Sequence, residues 1–306
     1  MSKILVTGAS GMIGSAIKEL NLRNVVYLSH KDLDLRDFLK TLEIFQEIKP
    51  THIIHTAAIV GGVGGNSAHP GQYFLDNIKI NTNVLEAARQ TGVEKLVSFM
   101  STCIFPNECT YPLSEKDLHK GEPHSSNFGY AYAKRMLDVQ NRAYHKEYGC
   151  NFVSVIPTNI YGPFDNYSIE NGHVLPALIH KIYLAKKNEI PFIVWGSGEP
   201  LREFVYSSDI AKLSLWILDN YNENDPIILT SGIENSIKEM VYLIAEKIKF
   251  TGEIIFDKTK PDGQFRKPSN NTKLKKHLPN FKFITVEEGI SKTVDWFLNN
   301  YPNIRK

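Results

Sequence analysis

Short apolar runs alternate with longer amphipathic segments through the first half of the chain. Apolar runs bounded by turn residues are typical of buried strands, and longer segments with apolar residues every three or four positions are typical of helices. Because strands that alternate with helices pair in parallel through right-handed crossovers, this half predicts an α/β fold with a doubly wound parallel sheet. The predicted strands are 3–8, 24–29, 51–57, 95–101 and 151–157, and the predicted helices lie near 12–20, 36–48, 72–91 and 129–148.

A glycine-rich turn joins the first predicted strand to the first predicted helix. Gly8, Gly11 and Gly14 are spaced three residues apart. Without a Cβ atom, the backbone of such a turn can approach a pyrophosphate, which binds at the N-terminus of the following helix. Glycines alone would fit a turn that binds nothing. The strand before them and the helix after them favour a dinucleotide site and a sheet of the Rossmann type.

The regular alternation ends after the segment 159–163. Loops that contain Gly and Pro then separate a predicted strand at 192–195 from helices near 174–187, 208–220, 236–249 and 286–299. We therefore predict a Rossmann domain at 1–163 and a smaller, mainly substrate-binding lobe at 164–306, from which some segments return to the first domain. We expect the substrate to bind between the lobe and the carboxyl edge of the sheet.

The composition is that of a globular protein and argues against several partners. Hydrophobic residues make up 42% of the chain, and 35 basic against 33 acidic residues give a formal net charge of +2. Neither a nucleic acid nor a membrane is therefore expected as a partner, and no apolar stretch approaches the ~20 residues of a spanning helix. Cys103, Cys109 and Cys150 are too few for a disulfide framework and lack a paired metal spacing. We expect a reducing cytoplasmic location and no metal.

Tyr130 and Lys134 stand four residues apart in a predicted helix, so their side chains share one face. A nearby ammonium favours the phenolate, which would let the phenol exchange a proton with a carbonyl or an alcohol near neutral pH. Such a spacing also arises by chance on solvent-exposed helix faces. The glycine turn at the other end of the chain gives the pair its significance.

The glycine turn and the Tyr130/Lys134 pair together resemble the extended short-chain dehydrogenase/reductase family. In that family a serine or threonine joins the tyrosine and lysine around a nicotinamide cofactor. Ser101 is the candidate here, because it ends a predicted strand at the edge where open α/β sheets bind ligands. A serine at the end of a strand is otherwise commonly a turn residue.

The end of the second predicted strand favours NADP(H) over NAD(H). Sites that prefer NAD usually carry an acidic residue there for the ribose 2′-hydroxyl, whereas this chain has Ser29, His30 and Lys31. Asp32 and Asp34 follow closely and weaken the argument. The resemblance implies cofactor contacts from Gly8, Ala9, Ser10, Gly11, Met12, Ile13, Gly14, His30, Lys31, Ser98, Lys134, Pro157, Asn159, Ile160 and His173.

The residues after Ser101 argue against a dehydratase. Related sugar-nucleotide dehydratases have an Asp-Glu pair there, and this chain has Thr102 and Cys103. Cys103 would face the same site as Ser101 if the strand continues, and a thiol transfers protons once a cationic neighbour favours the thiolate. The alternative for Cys103 is a small buried hydrophobe. His173, just before a predicted helix, is a candidate acid or base, although a single histidine is more often a capping or surface residue.

Several segments in order resemble bifunctional epimerase/reductases of this family that act on a GDP-linked 4-keto-6-deoxymannose. The resemblance implies that Cys103 as base and His173 as acid invert C3 and C5. It implies that Ser101 and Tyr130 hydrogen-bond the C4 oxygen, and that Tyr130, with Lys134 keeping its pKa low, donates a proton when NADPH reduces C4. The matching segments are the glycine turn, 101–106, 130–135, 157–163, 172–178, 195–198, 200–204, 260–263 and 266–267.

The same resemblance implies a GDP-sugar site and a homodimer. The residues assigned to the GDP-sugar are Lys181, Trp195, Arg202, Asp262 and Lys267. Lys181 and Arg202 suit the charge of a diphosphate. The alternatives are core packing for Trp195 and solvent exposure for Lys267.

Two other functions stay open at this point. The first is a single-activity epimerase or reductase that acts on another nucleotide-linked hexose. The second is a non-enzymatic NADP-binding regulator. The complete set of Ser101, Tyr130 and Lys134 argues against the regulator, because a sensor has no use for a proton donor.

Overall fold

The computed structural model describes residues 2–306, apart from the side chain of Val63. The chain divides into two compact units. Unit 1 contains the residues up to Cys109, Ser114–Pro157 and Ser208–Leu229, and unit 2 contains Thr110–Leu113, Thr158–Ser207 and Thr230–Lys306. These units are defined by packing alone, so the functional division at residue 163 stays a prediction.

The described residues form eleven strands and ten α-helices. The strands are β1 (Ile4–Thr7), β2 (Val25–Leu28), β3 (His52–His55), β4 (Lys95–Phe99), β5 (Phe152–Pro157), β6 (Asn159–Tyr161), β7 (Phe192–Trp195), β8 (Leu201–Tyr206), β9 (Ile227–Leu229), β10 (Glu234–Ser236) and β11 (Ile254–Asp257). The helices are α1 (Met12–Lys18), α2 (Phe38–Ile48), α3 (Val63–Ala68), α4 (Pro70–Gln90), α5 (Phe128–Tyr148), α6 (Val174–Lys187), α7 (Ser207–Asn220), α8 (Ile237–Ile248), α9 (Thr272–His277) and α10 (Val286–Asn300). None of these helices is both long and apolar enough to cross a membrane.

Unit 1 is built on a six-stranded sheet with the strand order β2-β1-β3-β4-β5-β9. Every neighbouring pair in it is parallel. The chain winds outward from β1 in both directions, so the strand order reverses between β1 and β3. Ligands bind at the carboxyl ends of the strands at such a point. The predicted α/β fold of the Rossmann type is confirmed.

The sheet is buried because its central strands are apolar on both faces. All residues of β4 and β5 are buried, which is the pattern expected when helices cover both sides of a parallel sheet. Helices α4 and α5 pack along each other. They approach closely at Gly129, where a Cβ atom would lie 2.3 Å from the carbonyl oxygen of Pro70. This contact lies in the first turn of α5, one residue before Tyr130.

Unit 2 contains two small sheets and three packed helices. In the first sheet β8 pairs antiparallel with β10 and parallel with β6, and in the second β7 pairs in parallel with β11. Helices α6, α8 and α10 bury an apolar core that includes Ile179, Ile244 and Phe297. Ser236 and Glu239 form a capping box that fixes the first residue of α8.

Candidate active site

The glycine turn of unit 1 has a backbone that tolerates no side chain at two positions. Gly8 follows β1 with a φ of +73°, and a Cβ atom there would lie 2.6 Å from the backbone nitrogen of Ala57. A Cβ atom at Gly14 would lie 2.6 Å from Cα of Ala9. Gly11 closes the turn by donating its N–H to the carbonyl of Gly8 at 3.0 Å. The turn therefore has the open backbone that a dinucleotide pyrophosphate requires.

The end of β2 presents basic groups, while its nearby carboxylates are occupied. Asp32 accepts hydrogen bonds from the backbone N–H of Ser29 at 2.8 Å and from its hydroxyl at 2.7 Å. Asp34 pairs with Arg36 at 2.8 Å. His30 and Lys31 are both exposed. This charge pattern suits a 2′-phosphate better than a neutral ribose.

Cys103 reaches the Tyr130/Lys134 site by a different geometry from the one expected. The strand does not continue through Cys103: β4 ends at Phe99, Ser101 is extended, and Thr102–Ile104 form a 3₁₀ turn. The expectation based on strand alternation was therefore wrong. The turn packs against α5, so the segment that carries the thiol lies beside the helix that carries the pair.

The Tyr130 phenol keeps its proton in this structure. Burial is the largest cause and raises the pKa of Tyr130 above its ordinary value, and Cys103 adds to the effect. The pKa is therefore raised rather than lowered, contrary to the direction expected beside Lys134, because burial removes the hydration that a phenolate needs. Burial also lowers the pKa of Lys134 to about 8. A neutral phenol beside a buried lysine is suited to donating a proton.

A buried histidine that sequence reasoning missed lies beside Lys134. His55 Nδ1 lies 2.7 Å from Oγ1 of Thr7, and its Nε2 lies 3.2 Å from Oδ1 of Asn81. Asn81 in turn donates to the carbonyl of Ala133 at 3.1 Å. Burial lowers the pKa of His55 to about 3, with a smaller effect from the charge of Lys134. The neutral ring therefore links β1 and β3 to the helical turn that carries Lys134. Its only sequence signal is a polar residue inside an apolar run.

In unit 2, His173 has a carboxylate partner that sequence reasoning also missed. His173 caps the N-terminus of α6 through its backbone, and its side chain is 53% exposed. Its Nδ1 lies 3.7 Å from Oδ1 of Asp165, which is buried. This contact with Asp165 is the largest cause that raises the pKa of His173. An exposed imidazole that is readily protonated is suited to act as an acid.

Trp195, Lys181 and Asp262 form one cluster in unit 2. Trp195 is 67% exposed, so the alternative that it packs in the core is wrong. Lys181 Nζ lies 5.1 Å from the centre of its ring, and Lys260, which was not predicted, lies 5.7 Å from it. Asp262 accepts hydrogen bonds from the Ser197 backbone at 2.6 Å and from its hydroxyl at 2.8 Å. An exposed aromatic ring with two cations close to it suits a planar base and a diphosphate.

Arg202, on β8, lies beside the chain segment that contains Asp262. Its Nη1 donates to the carbonyl of Leu201 at 2.7 Å, and burial lowers its pKa. Leu201 donates its N–H to the carbonyl of Phe265 at 2.8 Å, which places Arg202 beside the segment that contains Asp262. Lys267, further along that segment, is partly exposed rather than fully in solvent.

Four residues assigned to the cofactor have mainly structural surroundings. Ser98 is buried, and its hydroxyl lies 2.8 Å from that of Ser154 on the neighbouring strand. Pro157 ends β5. Asn159 donates its side-chain amide to the carbonyl of Glu203 at 2.9 Å, and Ile160 lies next to it on β6. Their assignment to the cofactor stays a prediction.

The fold agrees with that of known proteins. Residues 4–230 match the sequence model of the NAD dependent epimerase/dehydratase family, and the chain belongs to this family. It is 49% identical to the GDP-L-fucose synthase of Dictyostelium discoideum, over 99% of this chain and 97% of that protein. It is 43% identical to the probable GDP-L-fucose synthase of Drosophila melanogaster over the full length of both.

A solved structure extends the similarity to three dimensions. The GDP-L-fucose synthetase from Naegleria fowleri bound to NADP superposes on this chain with a TM-score of 0.96. The two are 44% identical, and the match covers 100% of this chain and 95% of that one. The similarity thus extends over both units of the chain.

Proposed function

We propose that this protein is a GDP-L-fucose synthase, which converts GDP-4-dehydro-6-deoxy-D-mannose to GDP-L-fucose by 3,5-epimerisation followed by NADPH-dependent reduction at C4. Relatives of that name match nearly the whole chain. The single observation that carries the proposal is the packing of the turn that contains Cys103 against α5, the helix that carries Tyr130 and Lys134. A thiol for proton abstraction next to a phenol for reduction is what a bifunctional enzyme of this kind needs.

The cofactor is NADP(H), which supplies the hydride for C4 when bound. The residues of unit 1 fit it. The backbone at Gly8 and Gly14 has no room for a Cβ atom, and His30 and Lys31 are exposed at the end of β2, where a 2′-phosphate would lie.

The epimerisations use the acidity of carbon atoms next to the 4-keto group. Removal of a proton from C3 or C5 gives an enolate, and a proton returned to the opposite face inverts the centre. We assign the removal to Cys103 and the return to His173, whose contact with Asp165 favours the protonated ring. Ser101 and Tyr130 hydrogen-bond the C4 oxygen, where the negative charge of the enolate develops.

The reduction uses the neutral phenol of Tyr130. As hydride reaches C4, the oxygen becomes an alkoxide and takes the phenol proton. The raised pKa of Tyr130 keeps that proton in place until it is needed. The buried ammonium of Lys134 then stabilises the phenolate that is left.

Unit 2 supplies the groups for the GDP part of the substrate. We assign the diphosphate to Lys181 and Arg202 and the planar or sugar groups to Trp195, with Asp262 and Lys267 beside them. The exposed face of Trp195 with Lys181 at 5.1 Å supports this assignment.

The homodimer remains a proposal that exposed apolar residues support. Phe74 and Leu75 on α4 are 41% and 45% exposed, and Phe128 and Val139 on α5 are 47% and 40% exposed. These two helices pack side by side, so a second copy of the chain could cover the residues together. We also propose a cytoplasmic location, because Cys103 must stay reduced to act as a base.

The experiment that tests the function is NADPH oxidation with GDP-4-dehydro-6-deoxy-D-mannose in deuterated water. Formation of GDP-L-fucose with deuterium at C3 and C5 is expected. Oxidation without deuterium would leave a C4 reductase, and no oxidation would exclude this substrate. The Cys103→Ser variant should lose deuterium incorporation about 100-fold or more, whereas Cys150→Ser should match the wild type.

A further inference from the structure

Arg135, the residue after Lys134, is a buried cation to which the proposed mechanism gives no part. It is 4% exposed, and all three nitrogen atoms of its planar guanidinium donate hydrogen bonds. Nε donates to the carbonyl of Ile104 at 3.0 Å, and Nη2 donates to the same oxygen. Nη1 donates to the carbonyl of Gly121 at 2.8 Å. The side chain therefore fastens two separate loop segments to α5.

One of those segments is the turn that carries Cys103. Ile104 is the last residue of the 3₁₀ turn, and its N–H bonds back to the carbonyl of Ser101 at 3.1 Å. A single 3₁₀ turn has weak internal hydrogen bonds and is easily displaced. Arg135 donates two hydrogen bonds to the carbonyl of Ile104, the residue after Cys103. Arg135, Lys134 and Tyr130 lie within six consecutive positions of α5, so these bonds set the position of the thiol relative to the other two side chains.

Arg135 also acts on Cys103 through its charge. Burial is the largest cause and lowers the pKa of Arg135, while the charge of Tyr132 and then that of Cys103 raise it, and Cys103 acts in the same direction on Lys134. Such interactions are mutual, so both cations favour the thiolate. Arginine remains charged even when buried, whereas Lys134 has a pKa of about 8 and is partly neutral above that pH.

We propose that Arg135 is the positioning residue of the epimerisation: it anchors the Cys103 turn to α5 and keeps the thiol beside the tyrosine and the two cations of that helix. This proposal rests on the assignment of Cys103 as the base. The phenol of Tyr130 does not depend on the turn, since it is carried by α5 itself. Loss of Arg135 should therefore impair proton removal at C3 and C5 more than hydride transfer at C4.

The test measures the thiol directly and needs no substrate. Wild type, Arg135→Gln and Arg135→Lys are treated with iodoacetamide over a range of pH, and alkylation of each cysteine is followed by peptide mass spectrometry. Because only the thiolate is alkylated, the pH at the midpoint of the rate profile gives the pKa of that thiol. A loosened turn would change the alkylation rate at every pH without moving this midpoint. Cys109 and Cys150 serve as internal references in the same samples, and Arg142→Gln, on the same helix, is the matched control.

In the Arg135→Gln variant we expect the Cys103 midpoint to rise by about one pH unit, a roughly tenfold loss of thiolate near neutral pH. Arg135→Lys should stay near the wild type in midpoint, because the charge is kept. In the separate assay with substrate, Arg135→Lys should nevertheless incorporate deuterium several-fold more slowly, because the fork is lost. A Cys103 midpoint in Arg135→Gln within about 0.3 pH unit of the wild type, with normal circular dichroism, would overturn the proposal.

The wild-type protein gives a second measurement in case Arg135→Gln fails to fold. Burial raises the pKa of Cys150. Because two cations of α5 lie beside the Cys103 turn, we expect the midpoint of Cys103 below that of Cys150. A Cys103 midpoint at or above that of Cys150 overturns the proposal without any variant. Because both measurements follow a thiol, they remain valid even if the enzyme acts on a different sugar nucleotide.

Discussion

Nδ1 of His173 lies 3.7 Å from Oδ1 of Asp165. The two residues differ in exposure: the carboxylate is buried, while the imidazole side chain is 53% exposed. Oδ1 of Asp165 also accepts the N–H of Asn166 at 2.7 Å, and Oδ2 has no hydrogen-bond partner among residues 2–306. A buried carboxylate with unused acceptor capacity is stabilised by a cation, so the pair favours protonated His173.

Replacing the carboxylate should therefore shift the pH dependence of epimerisation. Asp165 raises the pKa of His173, so the acid form persists to higher pH in the wild type. In Asp165→Asn that pKa falls, and the alkaline limb of deuterium incorporation should move to lower pH, with several-fold less incorporation near pH 7.5. An unshifted alkaline limb in a folded variant would remove Asp165 from this role. His173→Asn should lose the limb altogether.

The phenol of Tyr130 is the second target. Tyr130→Phe keeps the ring that fills the buried site but removes the proton donor, so NADPH oxidation should fall by about 100-fold or more. Binding of NADPH, followed by fluorescence, should change little. Tyr148→Phe at the exposed end of the same helix is the control, since Tyr148 is 48% exposed. Near-normal turnover of Tyr130→Phe would exclude a proton-donor role.

Most of the helices and longer strands were predictable because burial and periodicity act on long segments. The helix predicted near 174–187 is α6, and the strand predicted at 151–157 differs from β5 by one residue. Strand β10 (Glu234–Ser236) has no apolar residue at all and forms because it pairs with β8, so no hydrophobic pattern could reveal it. The end of β4 at Phe99 was missed because the apolar run continues into the turn.

The site was predictable residue by residue but not in its contacts. Spacing identified Tyr130 and Lys134, whereas Arg135 bonds to a carbonyl 31 residues away in sequence and His55 to a side chain 26 residues away. Such partners depend on the fold and leave no local pattern. The direction of the Tyr130 pKa shift was missed for the same reason, because burial outweighs a neighbour that spacing can detect.

The glycine turn allows backbone strain to be separated from the loss of cofactor space. Gly8 and Gly149 both have positive φ values, +73° and +70°, but a Cβ atom at Gly149 meets nothing within 4 Å. Alanine at either position should cost about 1 kcal/mol of unfolding free energy from the backbone alone. Only Gly8→Ala should also weaken NADPH binding, because its Cβ atom would collide with the Ala57 backbone and so displace the glycine turn. Thermal unfolding with and without NADPH measures both effects. Equal stabilisation of the two variants by NADPH would show that Gly8 does not border the cofactor.

Lys31 tests the preference for NADP(H). It is exposed at the end of β2, where a 2′-phosphate would need a positive charge. In Lys31→Glu the ratio of kcat/KM with NADPH to kcat/KM with NADH should fall about tenfold or more. The new carboxylate would repel the 2′-phosphate of NADPH and accept a hydrogen bond from the ribose 2′-hydroxyl of NADH. Lys40→Glu on α2 should leave the ratio unchanged. An unchanged ratio in Lys31→Glu would assign the preference to other groups.

Trp195 tests whether an exposed aromatic residue serves the substrate. Trp195 and Ile193 lie on the same face of β7, where they are 67% and 52% exposed, so replacing either by Ala should cost less than about 1 kcal/mol of unfolding free energy. Only Trp195 has cations over its ring, Lys181 at 5.1 Å and Lys260 at 5.7 Å. Trp195→Ala should raise KM for the GDP-sugar about tenfold at unchanged stability and unchanged KM for NADPH, since roughly 1–2 kcal/mol of stacking and cation–π contact is lost. Ile193→Ala should leave both KM values unchanged. If the two variants behave alike, the exposed face of Trp195 has another purpose.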